Sequence, residues 1–321
     1  MKLDNRALKQ DAAKALLQAN CDPQKLVLLH TGVTVLLGLA LTVISYFLQL
    51  RIDNTTGLGG IGARSVLSTV QSMLTIAQMA LLPFWQVGYL GVALAVARGD
   101  RADKNTLFSG FDRFGPFLRL FIFQAIIFGV IAMGSSYLTS FLYTLTPMGQ
   151  QLMEQMLALM GGETVDEAAM TQAALPMMLL GAVVFLIAAA PTFYRMRLSR
   201  YILMDGERSA LRALAASALM MKGRRMSMLK LDLSFWWYYL LQALVAAVCY
   251  GDVALTLLGV TMPWPEEVGF FGFFLLYMVC QLGIDYWQKN RIEVTYAGAY
   301  ELLRQPRQPE NAPKNLPWEE R

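Results

Sequence analysis

The stretch LVLLHTGVTVLLGLALTVISYFLQL, residues 26–50, contains no Asp, Glu, Lys or Arg. Its one side chain that titrates near neutral pH is His30. A helix of about 20 apolar residues, which rises about 1.5 Å per residue, crosses roughly 30 Å of hydrocarbon. Because residues 26–50 exceed that length, the sequence predicts that they form a membrane-spanning helix.

Five further apolar stretches follow, and together with the first they predict an all-α, polytopic membrane protein. Of all residues, 56% are hydrophobic and 16% are charged. In soluble domains, roughly 45–50% of the residues are apolar and about 25% are charged. The six predicted transmembrane helices are residues 26–50, 66–97, 118–143, 175–194, 231–250 and 268–287.

Positively charged residues alternate between the connections of these spans. Five Lys and Arg precede the first span, five lie from Arg98 to Arg119 at the start of the third span, nine lie between the fourth and fifth, and six follow the sixth. The connection between the first two spans has two, and the remaining connections have none. Cations are retained on the cytoplasmic side of a membrane. The pattern therefore predicts six crossings of a bacterial-type plasma membrane, with both chain ends in the cytoplasm.

Three segments on the predicted cytoplasmic side have amphipathic spacing and are expected to form interfacial helices. They are residues 4–19, residues 107–117, in which phenylalanine recurs every three residues, and residues 208–221.

The predicted organisation has three parts. Residues 1–25 form a cytoplasmic amphipathic helix and residues 26–303 form the six-helix transmembrane domain. Residues 304–321 contain four prolines among polar residues, and this composition predicts a disordered cytoplasmic tail.

The chemistry of a catalyst is not evident in the sequence. The central stretches of the six predicted spans carry no charged residue, although ion and proton relays normally use such groups. No hydrolase, nucleotide-binding or zinc-protease motif occurs, and the three cysteines lack metal-binding spacing. We therefore expect no enzymatic activity, no cofactor and no metal. The ionisable residues near the inner ends of the spans are expected to reach headgroups or water; they are His30, Arg119, Asp232 and Asp285.

The polar residues that remain inside the spans are uncharged. Gln71, Thr75 and Gln78 form one stripe on the second span, and Gln124 and Gln242 lie in the third and fifth. Such side chains either join helices by hydrogen bonds or line a narrow cavity for a polar substrate. The sequence leaves both readings open.

A basic cluster precedes the fifth span. It consists of Lys222, Arg224, Arg225 and Lys230, and it either binds anionic headgroups or only orients the neighbouring span. Asp232 lies one turn into that span, and we expect it either to pair with this cluster or to be solvated at the interface.

Several short motifs resemble a known family. They are LFSGFDRF at 107–114, the segment from Pro191 through YIL at 201–203 to Ser217, MKG at 221–223, LDLSFWW at 231–237 and TYAGAYELL at 295–303. Together they resemble the bacterial integral membrane proteins catalogued as the domain of unknown function 975 family. The resemblance covers most of the chain and implies the same architecture and location. It implies no mechanism, because that family has no established activity.

The sequence is consistent with two alternative functions. The first is a non-enzymatic accessory or organising protein whose basic cytoplasmic face binds anionic lipid headgroups or a protein partner, and no nucleic acid. The second is a transporter or lipid-handling protein for a neutral or amphipathic substrate, with a cavity among the spans.

Overall fold

A computed structural model describes residues 4–54, 60–161, 167–249 and 266–304, and every regular element in these ranges is helical. The elements are α1 (Asn5–Leu17), α2 (Pro23–Asp53), α3 (Gly60–Arg98), a 3₁₀ turn (Lys104–Phe108), α4 (Ser109–Asp112), α5 (Phe114–Thr144), α6 (Pro147–Met160), α7 (Glu167–Met196), α8 (Ser199–Met204), α9 (Ala210–Met220), α10 (Arg225–Leu233), α11 (Trp236–Cys249), α12 (Glu266–Ile284), a π-helical turn (Asp285–Lys289) and α13 (Asn290–Arg304).

Within the described residues, four helical stretches are long and apolar enough to cross a membrane. They are Pro23–Ile52, Gly62–Arg98, Phe114–Thr144 and Ala174–Met204. The bent pair α10 and α11 raises the number to five if it forms one span. The chain therefore has the helices of a membrane protein, and α12 covers most of the sixth predicted span. The residues just before Glu266 lie outside the described ranges.

The fifth predicted span is not one straight helix, because α10 and α11 meet at 61°. At the break, the Tyr238 amide donates to the carbonyl of Phe235, and the carbonyl of Ser234 instead accepts from Lys9 Nζ at 2.8 Å. The Lys9 ammonium also lies 4.0 Å from the centre of the Phe235 ring. Burial, and then repulsion from Arg291, lower the pKa of the Lys9 ammonium. The predicted helix over 231–250 is thus divided where α1 supplies a donor to the backbone.

The single helix predicted over residues 107–117 is also divided. The structure has the 3₁₀ turn, then α4, and only then the start of α5. The physical reason is close backbone packing on α3: a methyl group at Gly88 would overlap the carbonyl of Leu107, and one at Gly110 would overlap the carbonyl of Phe84. The segment follows the surface of α3, and a regular helix would not keep both contacts.

Residues 4–19 and 208–221 do contain helices, namely α1 and α9. The buried residues of α1 are Leu8 and Ala12. Those of α9 are Ala210, Ala213 and Ser217, whereas its leucines at 211 and 219 are exposed. After α9, Gly223 has φ +75°, a left-handed conformation that glycine adopts readily at helix ends. The location of both helices on a membrane surface stays a prediction. The predicted tail lies outside the described residues from 305 onward.

The chain divides into two compact units. The first comprises Met1–Arg113 and Ser227–Arg321, and the second Phe114–Met226. In the first unit α2 packs on α3, α13 packs on both α1 and α3, and α11 packs on α12. In the second unit α7 packs on α5, α6 and α9.

Gly88→Ala tests the close packing of the 3₁₀ turn on α3. The added methyl group forces the backbone of Leu107 to move, so the variant should be destabilised by about 1–3 kcal/mol, the range for overpacked sites. Unfolding by SDS titration in mixed micelles measures the change. Gly32→Ala in α2 is the control, because no atom lies within 4 Å of its added carbon. Equal stability of the two variants would contradict the packing described here.

Candidate functional site

A buried carboxylate in the first unit, that of Asp285, collects polar side chains from three other elements. Asp285 is 3% exposed and begins the π-helical turn. We call the group the polar node: Asp285 with Thr31 of α2, Tyr238 and Gln242 of α11, Gln281 of α12, and Lys289 at the end of the π-helical turn.

Both oxygens of Asp285 accept hydrogen bonds. Oδ2 accepts from Lys289 Nζ at 2.9 Å and from Thr31 Oγ1 at 3.1 Å. Oδ1 accepts from the amide nitrogens of Gln242 and Gln281, each at 3.2 Å, and more distantly from the Tyr238 hydroxyl at 3.5 Å. The carboxylate is therefore solvated by the protein in place of water.

Lys289 is also contacted by several side chains, although its own side chain is 19% exposed and that of Asp285 is 5% exposed. Besides Asp285, its ammonium lies 3.3 Å from His30 Nδ1 and 3.5 Å from Thr31 Oγ1. It also lies 5.4 Å from the centre of the Tyr89 ring, within the range of a cation–π contact. An ammonium has three protons to donate, and three acceptors stand around this one.

The imidazole of His30 forms one wall of this environment. It is 1% exposed and stacks on the Trp85 ring, with 5.3 Å between centroids and 5° between planes. Trp85 Nε1 donates to the carbonyl of His30 at 3.0 Å, which joins α3 to α2. Because Lys289 can only donate, His30 Nδ1 is the acceptor, which assigns the proton to Nε2. Nε2 is buried and has no hydrogen-bond partner among the described residues.

The node continues into α13 through a second layer of contacts. The Tyr89 hydroxyl donates to Asn290 Oδ1. Farther along, Arg98 Nε donates to Glu301 at 2.8 Å. The Tyr296 hydroxyl donates to Asp232 at 2.6 Å. These bonds hold α13 against α3 and against the end of α10.

The helical sequence explains how the node is assembled. Gln281, Asp285 and Lys289 recur every four residues, so they lie along one side of the helix that continues from α12 through the π-helical turn. π-helical turns inside α-helices occur frequently at functional sites. Here the turn places the Asp285 carboxylate within reach of two donors on the same side of the helix, the Gln281 amide and the Lys289 ammonium.

This arrangement suits a structural tie better than a reaction centre. Every oxygen of Asp285 and every proton of Lys289 already has a protein partner, so neither is left to exchange with a substrate. Removal of one member of a buried ion pair typically costs about 3–5 kcal/mol. Within the described residues no group of three or more His, Cys, Asp or Glu could hold a metal ion.

A cleft of about 410 Å³ lies beside the node. Leu16 and Leu17 of α1 form its apolar side and Trp287 its aromatic side, while Asp22 and Arg291 are its charged residues. Asn290, the acceptor from Tyr89, also lines the cleft. The lysine at 25 pairs with Asp22 at 3.0 Å, and this hydrogen-bonded contact holds the pKa of the Asp22 carboxyl below its usual value.

The polar residues singled out in the sequence have different surroundings. Gln242 belongs to the node. Thr75 donates to the carbonyl of Gln71 at 3.1 Å, within its own helix, and Gln124 donates to Ser199 at 3.4 Å in the second unit. Gln78 is half-buried on α3. Of the five, the structure gives Gln242 and Gln124 contacts that join separate helices.

The members of the basic cluster are placed along the end of α9 and through α10. Lys222 and Lys230 are exposed and Arg224 is half-buried, and Nε of Arg225 is buried without a partner among the described residues. The structure gives Asp232 a bond from Tyr296, and its pairing with the cluster stays a prediction.

For His30 and Asp285, the expectation that they reach headgroups or water is wrong. Both are almost completely buried, because the helices around them supply the donors and acceptors that water would otherwise provide. The spacing of Gln281, Asp285 and Lys289 was the signal available in the sequence. It does not reveal that Thr31 and Gln242, distant along the chain, complete the site.

The family model described as "Protein of unknown function (DUF975)" matches residues 3–304. The chain belongs to this family. The match includes every residue of the polar node and all of the described helices. Searches of curated proteins and of solved structures gave no match, so the DUF975 family is the relationship that the comparisons establish.

Asp285→Asn tests the ion pair directly. The substitution keeps the shape of the side chain but leaves the Lys289 charge buried without its counter-charge, so the free energy of unfolding should fall by about 3–5 kcal/mol. The double variant Asp285→Asn, Lys289→Met removes both charges and should recover a large part of that loss. SDS titration in mixed micelles measures all three proteins.

Lys25→Met is the matched control. Lys25 also pairs with an aspartate, at 3.0 Å, but its side chain is 82% exposed, so its loss should leave the unfolding curve unchanged. A double variant as unstable as Asp285→Asn would show that the two side chains are not coupled.

Proposed function

We propose that the protein is a non-enzymatic, multi-pass component of a bacterial plasma membrane, with six crossings and both ends in the cytoplasm. Its role is accessory or organising: a rigid, basic cytoplasmic face binds anionic lipid headgroups or a protein partner.

The polar node is the observation that carries this proposal. The node joins residues near the start of α2, at the start of α11 and at the end of α12, and beside it the bond from Trp85 to the His30 carbonyl adds the C-terminal half of α3. Those four helix ends therefore share one side of the first unit. They are also the ends that adjoin the cation-rich segments of the sequence. The contacts and the distribution of charge are independent observations, and they support the same orientation.

The second unit supports the orientation separately. Gln124, near the start of α5, contacts Ser199, which follows α7. The Ser217 hydroxyl of α9 donates to the carbonyl of Arg195 at the end of α7 and accepts from the Leu198 amide. The start of α5 and the end of α7 are thus on one side of this unit, again beside cation-rich segments.

The environment of the node favours a supporting role over transport. An ion or proton relay needs charged groups that can change partners, and the Asp285–Lys289 pair is saturated. The cleft next to it combines an exposed cation, Arg291, with an indole and aliphatic side chains. Trp and Arg are the side chains that commonly contact the headgroup level of a bilayer.

The alternative, a lipid-handling protein, is favoured by one observation. A cavity of about 390 Å³ lies between α5 and α7 in the second unit, and three hydroxyl side chains line it. The two functions are compatible in one chain, because the cavity and the cleft lie in different units.

Cysteine labelling tests the topology. Gln151→Cys in α6 and Lys222→Cys after α9 are made separately in a chain whose native cysteines are replaced. A membrane-impermeant maleimide should label residue 151 on intact cells and residue 222 only after the membrane is opened. Labelling of both positions on intact cells would contradict an even alternation of the connections.

Lipid binding at the cleft is tested with Arg291→Gln. Native mass spectrometry of the protein, delipidated and then titrated with phosphatidylglycerol, should show retention that is weaker by about tenfold or more, the loss expected for one charge-assisted hydrogen bond. Arg6→Gln is the control, since it removes an exposed cation from α1 outside the residues that line the cleft. Equal retention by both variants would favour a protein partner over lipid at this face.

A further inference from the structure

The cavity between α5 and α7 has an almost entirely uncharged lining. Met177, Met178 and Phe185 contribute apolar surface, and Ser135, Ser136 and Thr139 contribute hydroxyl groups. Its volume of about 390 Å³ falls within the range of roughly 300–1,000 Å³ that holds small molecules and cofactors. Because its lining residues carry no charge, the cavity suits a ligand whose bound part is apolar and uncharged.

Thr139 is the unusual member of this lining. It is 1% exposed, and its Oγ1 is buried with no hydrogen-bond partner among the described residues. Threonines inside helices commonly donate to the carbonyl four residues earlier. In this chain Thr34 and Thr75 do so, at 2.8 and 3.1 Å. Buried hydroxyl groups nearly always have a partner, so a group that Thr139 can bind is expected in the cavity.

A glycine on the opposite helix leaves room beside this hydroxyl. A carbon added at Gly181 would lie 3.6 Å from Thr139 Cγ2 and 3.8 Å from Thr139 Oγ1. These are ordinary contact distances, so an alanine would fit and a larger side chain would enter the cavity. Gly181 is therefore the position at which the cavity can be filled without a backbone clash.

The position of Thr139 along α5 indicates what kind of molecule is available. It lies five residues before the end of the helix, about 8 Å along the axis. In a spanning helix this is close to the boundary between hydrocarbon and headgroups, where the ester groups of lipids lie. In the most apolar windows of α5 and α7, only 11% and 6% of the residues are buried by protein. Most residues of these windows are therefore not enclosed by protein, and in a membrane they would be accessible to acyl chains.

We propose that this cavity binds a diacyl membrane lipid, with an acyl chain against Met177 and Phe185 and an ester carbonyl oxygen accepting from the Thr139 hydroxyl. Recognition is by the ester group and not by the headgroup, since none of the described residues that line the cavity is charged. The site does not depend on the accessory function proposed for the first unit, because it uses residues of the second unit alone.

Paired lipids test the hydrogen bond. Delipidated protein is titrated with diester phosphatidylcholine and with the diether analogue that lacks both carbonyl groups, and native mass spectrometry measures retention. The wild type should retain the diester lipid about five- to tenfold more strongly, as expected for one hydrogen bond. Thr139→Val removes the hydroxyl but keeps the shape, so it should abolish the difference. The preference for the diester over the diether lipid should be the same when both lipids carry a phosphatidylglycerol headgroup.

Two further variants keep the test decisive. Thr75→Val is the matched control, because Thr75 is exposed and bonds to its own helix, and it should preserve the preference for the diester lipid. Gly181→Leu fills the cavity and should reduce retention of both lipids, even if Thr139→Val does not fold. Equal retention of diester and diether lipids by the wild type would overturn the proposal. So would a preference for the diester lipid that survives in Thr139→Val, or retention unchanged by Gly181→Leu.

Discussion

The buried pair of Asp285 and Lys289 is the constraint on which the first unit depends. A carboxylate and an ammonium removed from water are stable only when their remaining hydrogen-bonding positions are filled. Thr31, Gln242, Gln281 and His30 fill them, and these residues come from α2, α11 and α12. The requirement therefore specifies which helices are neighbours at this position.

Neighbouring contacts follow from this arrangement. With α2 and α12 joined at the node, the Trp85 indole can bond to the carbonyl of His30 and Tyr89 can reach Asn290. The chain then continues into α13, which packs on α1 and α3. α1 in turn supplies Lys9 to the break between α10 and α11. Contacts thus extend from the node to α13, to α1 and to the break between α10 and α11.

The fold class was predictable because it depends on local properties. Apolar stretches of sufficient length specify helices wherever they occur, and α2 and α5 agree closely with the predicted spans at 26–50 and 118–143. The two divided segments were not predictable. The break at Ser234 requires Lys9, which is distant in sequence, and the turn at Leu107 requires the bare backbone of Gly88. Neither partner is visible in the periodicity of the segment that it alters.

The sites show the same contrast. The sequence identifies Gln242 as a polar residue of a span, but its function as a donor to Asp285 appears only when α11 and α12 are placed together. Thr139 was not singled out, because a threonine in an apolar helix normally satisfies its hydroxyl within that helix. The Thr139 hydroxyl lacks a hydrogen-bond partner among the described residues, and this is evident only from the three-dimensional structure around the cavity. The number of spans, the orientation and the ligands remain proposals supported by these contacts.

The most direct measurement is an experimental structure of the protein in lipid nanodiscs, at a resolution that shows side chains. The account predicts Asp285 within hydrogen-bonding distance of Lys289, with Thr31, Gln242 and Gln281 around the carboxylate and no water between the two charges. An Asp285 side chain directed to bulk water, or an α12 separated from α2, would contradict it.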